Sequence, residues 1–198
     1  MELKRIDRLI AKAKTWDELY KDLSSNKQFT QKFKGDVFER VTQAYLLTIP
    51  EYKSTLSDVW LTDEVPRTVL KKLNLPSKDF GVDLIAKTNK GEYWTVQCKF
   101  RTSNSALNYK DLSTFINQSF LTAKNIKLAI VAHTSSRPIK NRKFLKELSE
   151  IGAGRWLELT NEEWNNIRKF CNRKPVKIFK RKPRPHQRKA IDNAKKVA

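Results

Sequence analysis

Cysteine is scarce in this chain of 198 residues, where only Cys98 and Cys171 occur. They lie far apart in the sequence, and neither has a histidine or a second cysteine at a spacing typical of zinc sites. We therefore expect neither a disulfide framework nor a structural zinc ion. Two unpaired thiols favour a reducing, cytoplasmic setting.

Long apolar runs and phosphate-loop motifs are missing as well. No stretch approaches the roughly 20 apolar residues that a membrane-spanning helix needs. The chain begins directly with an amphipathic pattern rather than a signal peptide, so we expect no contact with a membrane. The pattern GxxxxGK[ST] does not occur, and this chain is therefore not expected to hydrolyse ATP.

Positive charge is abundant. The chain carries 41 Lys and Arg residues against 21 Asp and Glu residues, which gives a formal net charge of +20. Such an excess suits a polyanionic partner, because each phosphate that a cationic side chain neutralises releases counterions. Structural nucleic-acid-binding proteins are equally basic, so the charge indicates the kind of partner but not an activity.

Two adjacent segments in the middle of the chain have the composition of β-strands. Residues 82–87 and 92–100 are rich in strand-forming side chains, and a short turn containing glycine separates them. Side chains alternate along a strand, so Gln97 and Lys99 share one face of the second segment. A hairpin brings both to the end of the first segment where Asp83 lies. A carboxylate, an amide and an ammonium group then surround one point, where a divalent cation and a phosphate can meet.

A helix upstream supplies a second carboxylate. Apolar residues recur with a helical period between residues 31 and 48. Gly35 and Glu39 are one turn apart and share a face of this helix. We expect the glycine to let the helix approach the sheet closely, with Glu39 pointing at the same site as Asp83.

The other segments predict an α/β domain. Strands and helices alternate after a helical N-terminus, which favours a central mixed β-sheet flanked by helices. A continuous apolar run at residues 127–132 is typical of a buried parallel strand. The remaining predicted elements are two short helices within 3–25, a strand at 55–61, a helix after Pro66 within 63–73, helices at 108–123 and 140–151, a short strand at 156–159, and a final helix capped by Thr160 and Glu163.

Three short motifs follow one another along the chain: Gly35-x-x-x-Glu39, Asp79-x-Gly81-x-Asp83 and Gln97-x-Lys99. Together they resemble the PD-(D/E)xK nuclease superfamily, and within it the Mrr-like restriction endonucleases in which glutamine replaces the second acid. The resemblance implies a restriction-endonuclease-like core. We divide the chain into an N-terminal helical extension (1–28), a nuclease domain (29–172) and a basic C-terminal segment (173–198).

The resemblance also implies roles for these residues. Asp83 and Glu39 are expected to ligate a divalent cation, Mg²⁺ or alternatively Mn²⁺, together with the backbone carbonyl of Cys98. The cation would activate water and polarise the scissile phosphate. Lys99 would orient the attacking water and stabilise the charge that grows on the phosphate. Gln97 is neutral where the acidic form of the motif has a carboxylate, so Glu39 is expected to supply the missing negative charge.

The C-terminal segment is dense in positive charge and proline. Within it, Arg184-Pro-His-Gln187 resembles the Gln motif that opens superfamily 2 helicases and translocases, in which the glutamine reads the adenine of ATP. A nuclease-like domain followed by this motif resembles the front half of single-polypeptide Type I restriction-modification enzymes of the Type ISP kind, an arrangement shared by phage-defence and other bacterial helicase–nuclease fusions. The resemblance implies that the chain is the front part of such an enzyme in the bacterial cytoplasm. ATP, a translocase, an adenine methyltransferase and a target-recognition domain would then belong to the complete enzyme.

The sequence therefore predicts a Mg²⁺-dependent endonuclease module that acts on double-stranded DNA. Phosphate contacts are expected from Arg101, Lys110 and Arg137. Two alternatives share the fold. One is a DNA-binding domain that has lost catalysis, which the neutral Gln97 favours. The other is a structure-specific nuclease such as a junction resolvase, although resolvases are usually dimers without a helicase motif.

Overall fold

The computed structural model describes residues 2–76, 81–102, 105–140 and 148–176. These residues form a five-stranded sheet with helices on both faces, as the sequence predicts. In chain order the elements are α1 (Glu2–Lys12), α2 (Trp16–Ser25), α3 (Gln31–Thr48), α4 (Pro50–Lys53), β1 (Leu56–Leu61), a 3₁₀ turn (Thr62–Glu64), α5 (Arg67–Leu73), β2 (Leu84–Thr88), β3 (Tyr93–Lys99), α6 (Tyr109–Asn117), a π-helical turn (Gln118–Thr122), β4 (Ile126–His133), β5 (Leu148–Ile151), α7 (Ala153–Leu157) and α8 (Asn161–Cys171).

The sheet is mixed, and its strand order follows the chain from β1 to β5. The strands β1, β2 and β3 pair antiparallel, whereas β3, β4 and β5 pair parallel. Parallel neighbours need a crossover connection, and α6 with the π-helical turn provides one between β3 and β4. The central strand β3 is therefore hydrogen-bonded on both edges, as are β2 and β4, which restrains the side chains that it carries.

Three helices begin directly after a threonine that caps them. Thr15, Thr30 and Thr160 stand directly before α2, α3 and α8, and each hydroxyl accepts a hydrogen bond from the backbone N–H three residues on. At α8 the Glu163 carboxylate also accepts from the Thr160 N–H at 3.0 Å, which confirms the predicted capping box. Caps of this kind are worth about 1 kcal/mol each.

Two apolar cores lie on opposite faces of the sheet. One packs α1, α2, α3 and α8 against the face that carries Val96 and Cys98. The other packs α5 and α6 against the face that carries Ile85 and Ala129. Since Glu39 belongs to α3, the first core is the one that sets its position.

The N-terminal helices share the first core with the sheet. Trp16 of α2 packs against Trp156 with the rings tilted by 37° and their centroids 5.5 Å apart. Trp164 of α8 donates a hydrogen bond from its indole N–H to the Ala13 carbonyl at 2.9 Å. Buried aromatic side chains contribute strongly to cores, and a buried indole needs such a partner. Within the described part of the chain, α1 and α2 are therefore packed as an integral layer.

Two predicted elements are wrong. The helix predicted at 140–151 does not extend to its end, because Leu148–Ile151 is the strand β5, parallel to β4; residues 141–147 lie outside the described residues. The strand predicted at 156–159 is also wrong, because Ala153–Leu157 is helical and buries Trp156. Apolar patterns of four or five residues do not distinguish helix from strand. Residues 148–151 are a strand because they pair with the free edge of β4, and residues 153–157 are a helix that buries Trp156 in the aromatic core.

The remaining predicted elements are confirmed with shifted ends. The helix predicted at 108–123 ends at Asn117 and continues as the π-helical turn. Within the four described ranges, no helix has the length and apolar character that crossing a membrane requires.

Candidate functional site

Asp83 lies immediately before β2, and hydrogen bonds from β3 hold its carboxylate. Its backbone N–H donates to the Val96 carbonyl at 2.9 Å. Its Oδ2 accepts two hydrogen bonds, one from the Gln97 amide nitrogen at 2.7 Å and one from the Cys98 backbone N–H at 2.6 Å. The carboxylate is thereby clamped across the open end of the hairpin.

The strand register puts Asp83 and Lys99 on the same side of the sheet. Leu84 pairs with Val96, so Asp83 lies opposite Gln97, and Lys99 follows two residues later on the same face. Burial raises the pKa of Asp83, and the nearby charge of Lys99 works against that rise. The structure therefore brings Asp83, Gln97 and Lys99 together.

Glu39 approaches the same site from α3. Burial, followed by the negative charges of Asp83 and Asp36, raises the pKa of Glu39 to about 8. Two partly desolvated carboxylates thus repel each other at the end of the hairpin. Titratable groups perturbed in this way are concentrated at functional sites, although structural networks also produce them.

The donor atoms of the site fit a divalent cation. Carboxylate oxygens are the ligands that Mg²⁺ prefers, and a cation between Glu39 and Asp83 would cancel their repulsion. Backbone groups alternate in direction along β3. The Cys98 N–H faces Asp83 and the Lys99 carbonyl faces β4, so the Cys98 carbonyl is directed toward the Asp83 side.

Two observations limit the ligand set. Among the residues that the structure describes, no three His, Cys, Asp or Glu side chains are grouped to hold a metal. A cation here would therefore rely on backbone oxygen and water as well as on the two carboxylates. The Cys98 thiol packs into the first core, and burial raises its pKa well above the usual value. The thiol thus faces this core, whereas the two carboxylates lie at the end of the hairpin.

Gly81 and Gly35 differ in how much space a side chain would have at each position. Gly81 has a φ of +69°, and a Cβ at this position would lie 2.7 Å from Thr114 Cγ2 of α6, so both the backbone and the neighbouring side chain favour glycine here. At Gly35 a Cβ would meet nothing within 4 Å. The predicted close approach of helix to sheet at Gly35 is therefore wrong, because the space beside it is open.

The three predicted phosphate-contacting residues lie at the same end of the sheet as the site. Arg101 follows β3, and its guanidinium is paired with Asp111 at 3.1 Å. Lys110 is exposed in the first turn of α6, and Arg137 is exposed in the loop after β4. The predicted nucleotide-binding residues Arg184 and Gln187, and Asp79 of the motif, lie outside the described residues.

Sequence reasoning missed several neighbours of the site. The Thr62 hydroxyl donates to the Asp83 carbonyl at 2.9 Å, a contact that no local pattern signals. The negative charge of Asp36 contributes to the raised pKa of Glu39. Asp36 lies three residues before Glu39 on the same helix face, so the sequence spacing could have indicated this interaction. His133 of β4 lies opposite Lys99 of β3 in the strand register. Its side chain is buried, and its Nε2 lies 2.8 Å from Glu150 Oε1.

Together, the mixed sheet and the Asp83, Gln97 and Lys99 cluster define the restriction-endonuclease-like α/β class. A protein-family model described as restriction endonuclease, of the Mrr catalytic type, matches residues 47–167. The match covers more than half of the chain and includes all three clustered residues. The chain belongs to this restriction endonuclease family.

A solved structure supports the same fold. The chain is similar to the ATP-dependent Type ISP restriction-modification enzyme LlaBIII bound to DNA, with a TM-score of 0.56 and 23% sequence identity. The similarity covers 92% of this chain and 11% of that protein. At this identity the likeness establishes the fold. Comparison with curated proteins gives no match.

Proposed function

We propose that this chain is a Mg²⁺-dependent DNA endonuclease module that hydrolyses phosphodiester bonds. The observation that carries the proposal is the Asp83 carboxylate, clamped by Gln97 and the Cys98 N–H, with Lys99 on the same face and Glu39 coupled to it electrostatically. Membership of a restriction endonuclease family and the DNA-bound similar structure support it.

Each residue has a distinct role in this proposal. Asp83 and Glu39, with the Cys98 carbonyl, hold the cation, which when bound supplies Lewis-acid activation of water and phosphate. Lys99 carries a positive charge toward the phosphate and stabilises the negative charge that develops during attack by water. Gln97 keeps the Asp83 carboxylate in place, so less reorganisation is needed when substrate binds.

The larger context is also a proposal. The chain corresponds to about a tenth of the similar Type ISP enzyme, which is ATP-dependent. We place the chain in a longer polypeptide of the same kind, with translocase, methyltransferase and target-recognition domains, acting against foreign DNA in the bacterial cytoplasm. ATP would be used by the translocase, to which Arg184 and Gln187 would contribute.

The test is nicking of supercoiled DNA by the chain and by any longer polypeptide that contains it. Asp83→Ala should abolish Mg²⁺-dependent nicking, whereas Asp22→Asn, at an exposed position on α2, should leave it unchanged. Mn²⁺ binding, followed by calorimetry, should be lost in Asp83→Ala and weakened in Glu39→Gln. Unchanged cleavage by Asp83→Ala in the longer polypeptide would refute the site.

A second candidate function is a DNA-binding domain that keeps the fold without catalysis. It is favoured by the neutral Gln97 and by the absence, among the described residues, of three His, Cys, Asp or Glu side chains grouped to hold a metal. This candidate predicts DNA binding without nicking, and Mn²⁺ binding that does not change when Asp83 or Glu39 is replaced. The same two measurements therefore separate the two functions.

A further inference from the structure

We infer that the end of the sheet opposite the candidate active site carries a second surface that binds the phosphate backbone of duplex DNA. This distal basic surface consists of Lys72 from α5, Lys90 from the β2–β3 turn, and Lys124 and Lys127 from the start of β4. All four side chains are exposed. The choice of DNA as the ligand rests on the proposed function.

A cavity of about 320 Å³ lies within the distal basic surface. Its lining brings together residues from three segments that are distant in sequence: Lys72, Gly91, Glu92, Asn125, Ile126 and Lys127. Lys90 adjoins the lining at Gly91, and Lys124 adjoins it at Asn125. Glu92 is the one carboxylate of the lining, so lysines outnumber acids and the surface is positively charged.

The ammonium groups of the surface are available to an anion. Within the described ranges, no carboxylate forms an ion pair with any of the four lysines. The Lys72 ammonium lies 5.2 Å from the centroid of the Tyr93 ring. A ring face holds a lysine in place without satisfying its N–H donors, so Lys72 is positioned and still able to donate to a phosphate oxygen.

The main chain beneath the surface is also compatible with an anion. Helix α5 ends here, and free carbonyl oxygens at a helix C-terminus would repel a phosphate. Those carbonyls are occupied: the Leu73 oxygen accepts from the Lys124 N–H at 2.8 Å, and the Lys72 oxygen accepts from the Asn125 amide at 3.3 Å. The carbonyls of Leu70 and Lys71 accept hydrogen bonds from the backbone N–H groups of Leu75 and Asn74. The same bonds join α5 to β4 and fix the spacing of the lysines.

The two ends of the sheet are separated by the length of β3. Six residue steps from Tyr93 to Lys99, at about 3.3 Å each, correspond to about 20 Å. A duplex rises about 3.4 Å per base pair, so for a duplex that lies parallel to β3 the two sites would contact phosphates about six base pairs apart. A duplex cleaved at one end of the sheet would thus also be held at the other.

The test is the salt dependence of duplex binding by the whole chain, measured by fluorescence anisotropy in EDTA so that no cleavage occurs. The variant Lys72→Ala/Lys127→Ala is compared with Lys4→Ala/Lys12→Ala, which removes the same two charges from exposed positions on α1. Each phosphate contact contributes about 0.9 to the slope of log affinity against log salt concentration. We expect the slope to fall by about 2 in the first variant and to stay unchanged in the second.

Lys72→Arg/Lys127→Arg keeps the charge and should retain the wild-type slope. Equal slopes for the two alanine variants would overturn the inference and leave an acidic protein partner as the explanation of the surface. A longer polypeptide that binds DNA through these lysines but shows no nicking dependent on Asp83 would refute the proposed catalysis alone. If nicking depends on Asp83 but Lys72→Ala/Lys127→Ala and Lys4→Ala/Lys12→Ala have equal salt slopes, only the inference that the distal basic surface binds DNA would be refuted.

Discussion

The amide nitrogen of Gln97 lies 2.7 Å from Asp83 Oδ2 and donates a hydrogen bond to it from the neighbouring strand. A carboxylate oxygen can only accept, so the amide must present its nitrogen here. Hydrogen bonds to charged groups contribute about 1.5–3 kcal/mol. Where the acidic form of the motif sets two carboxylates side by side, this chain has an attractive contact that holds Asp83 before any cation binds.

Gln97→Glu is expected to make stability depend on divalent cations. The change sets a carboxylate against Asp83 and replaces attraction by repulsion. We expect the melting temperature in EDTA at neutral pH to fall by about 5 °C, and saturating Mg²⁺ to restore it. Gln28→Glu, at an exposed position, should show neither effect. Equal melting temperatures for the two variants in EDTA would contradict the repulsion.

Glu39 should make the metal-free protein less stable as the pH rises. Its folded pKa of about 8 lies above the ordinary value of 4.5, so the folded state binds more protons between these limits. The free energy of unfolding therefore decreases with rising pH across this window, by a few kcal/mol at most. Thermal unfolding in EDTA checks this decrease.

Two variants, Glu39→Gln and its control Glu158→Gln, test the pH dependence between about 4.5 and 8. Glu39→Gln should resemble wild type near pH 4.5 and be more stable than wild type near pH 8, because it cannot ionise. Glu158 is exposed, and its variant should follow the wild-type curve. A Glu39→Gln curve parallel to wild type over the whole range would show that Glu39 is not desolvated.

Gly81, just before the site, can be compared with Gly91 in the β2–β3 turn. Both have positive φ, +69° and +81°, but only a Cβ at Gly81 would meet Thr114. Gly91→Ala should therefore cost about 1 kcal/mol through backbone strain alone, and Gly81→Ala about 3 kcal/mol in urea unfolding. Adding Thr114→Ser removes the methyl group and should recover part of the larger cost. Equal costs at both glycines would contradict the contact.

The Asp7–Arg40 pair ties α1 to α3, the helix that carries Glu39. Arg40 Nε lies 2.8 Å from Asp7 Oδ1, and both side chains are largely buried. Asp7→Leu leaves a buried guanidinium without its carboxylate and should cost about 3 kcal/mol. The double variant Asp7→Leu/Arg40→Met should recover most of that loss in urea unfolding. Additive costs would show that the pair does not act as a unit.

Local patterns in the sequence determined much of this protein. The strand that carries Gln97 and Lys99, and the one that begins directly after Asp83, follow from strand-forming composition and side-chain alternation, and the starts of α2 and α8 follow from threonine caps. Such signals depend on neighbours within a few residues, so the sequence alone contains them. The resemblance carried by these residues also predicted the restriction endonuclease family, which the family match confirms.

Tertiary packing alone decided the rest. Leu148–Ile151 became a strand because β4 offered a free edge. The pKa of Glu39 rose because folding buried it near Asp83. Lys72 and Lys127 line one cavity because the chain folds three distant segments together. Each of these outcomes depends on groups far apart in sequence. The interactions between those groups form only when the sheet and its helices are assembled.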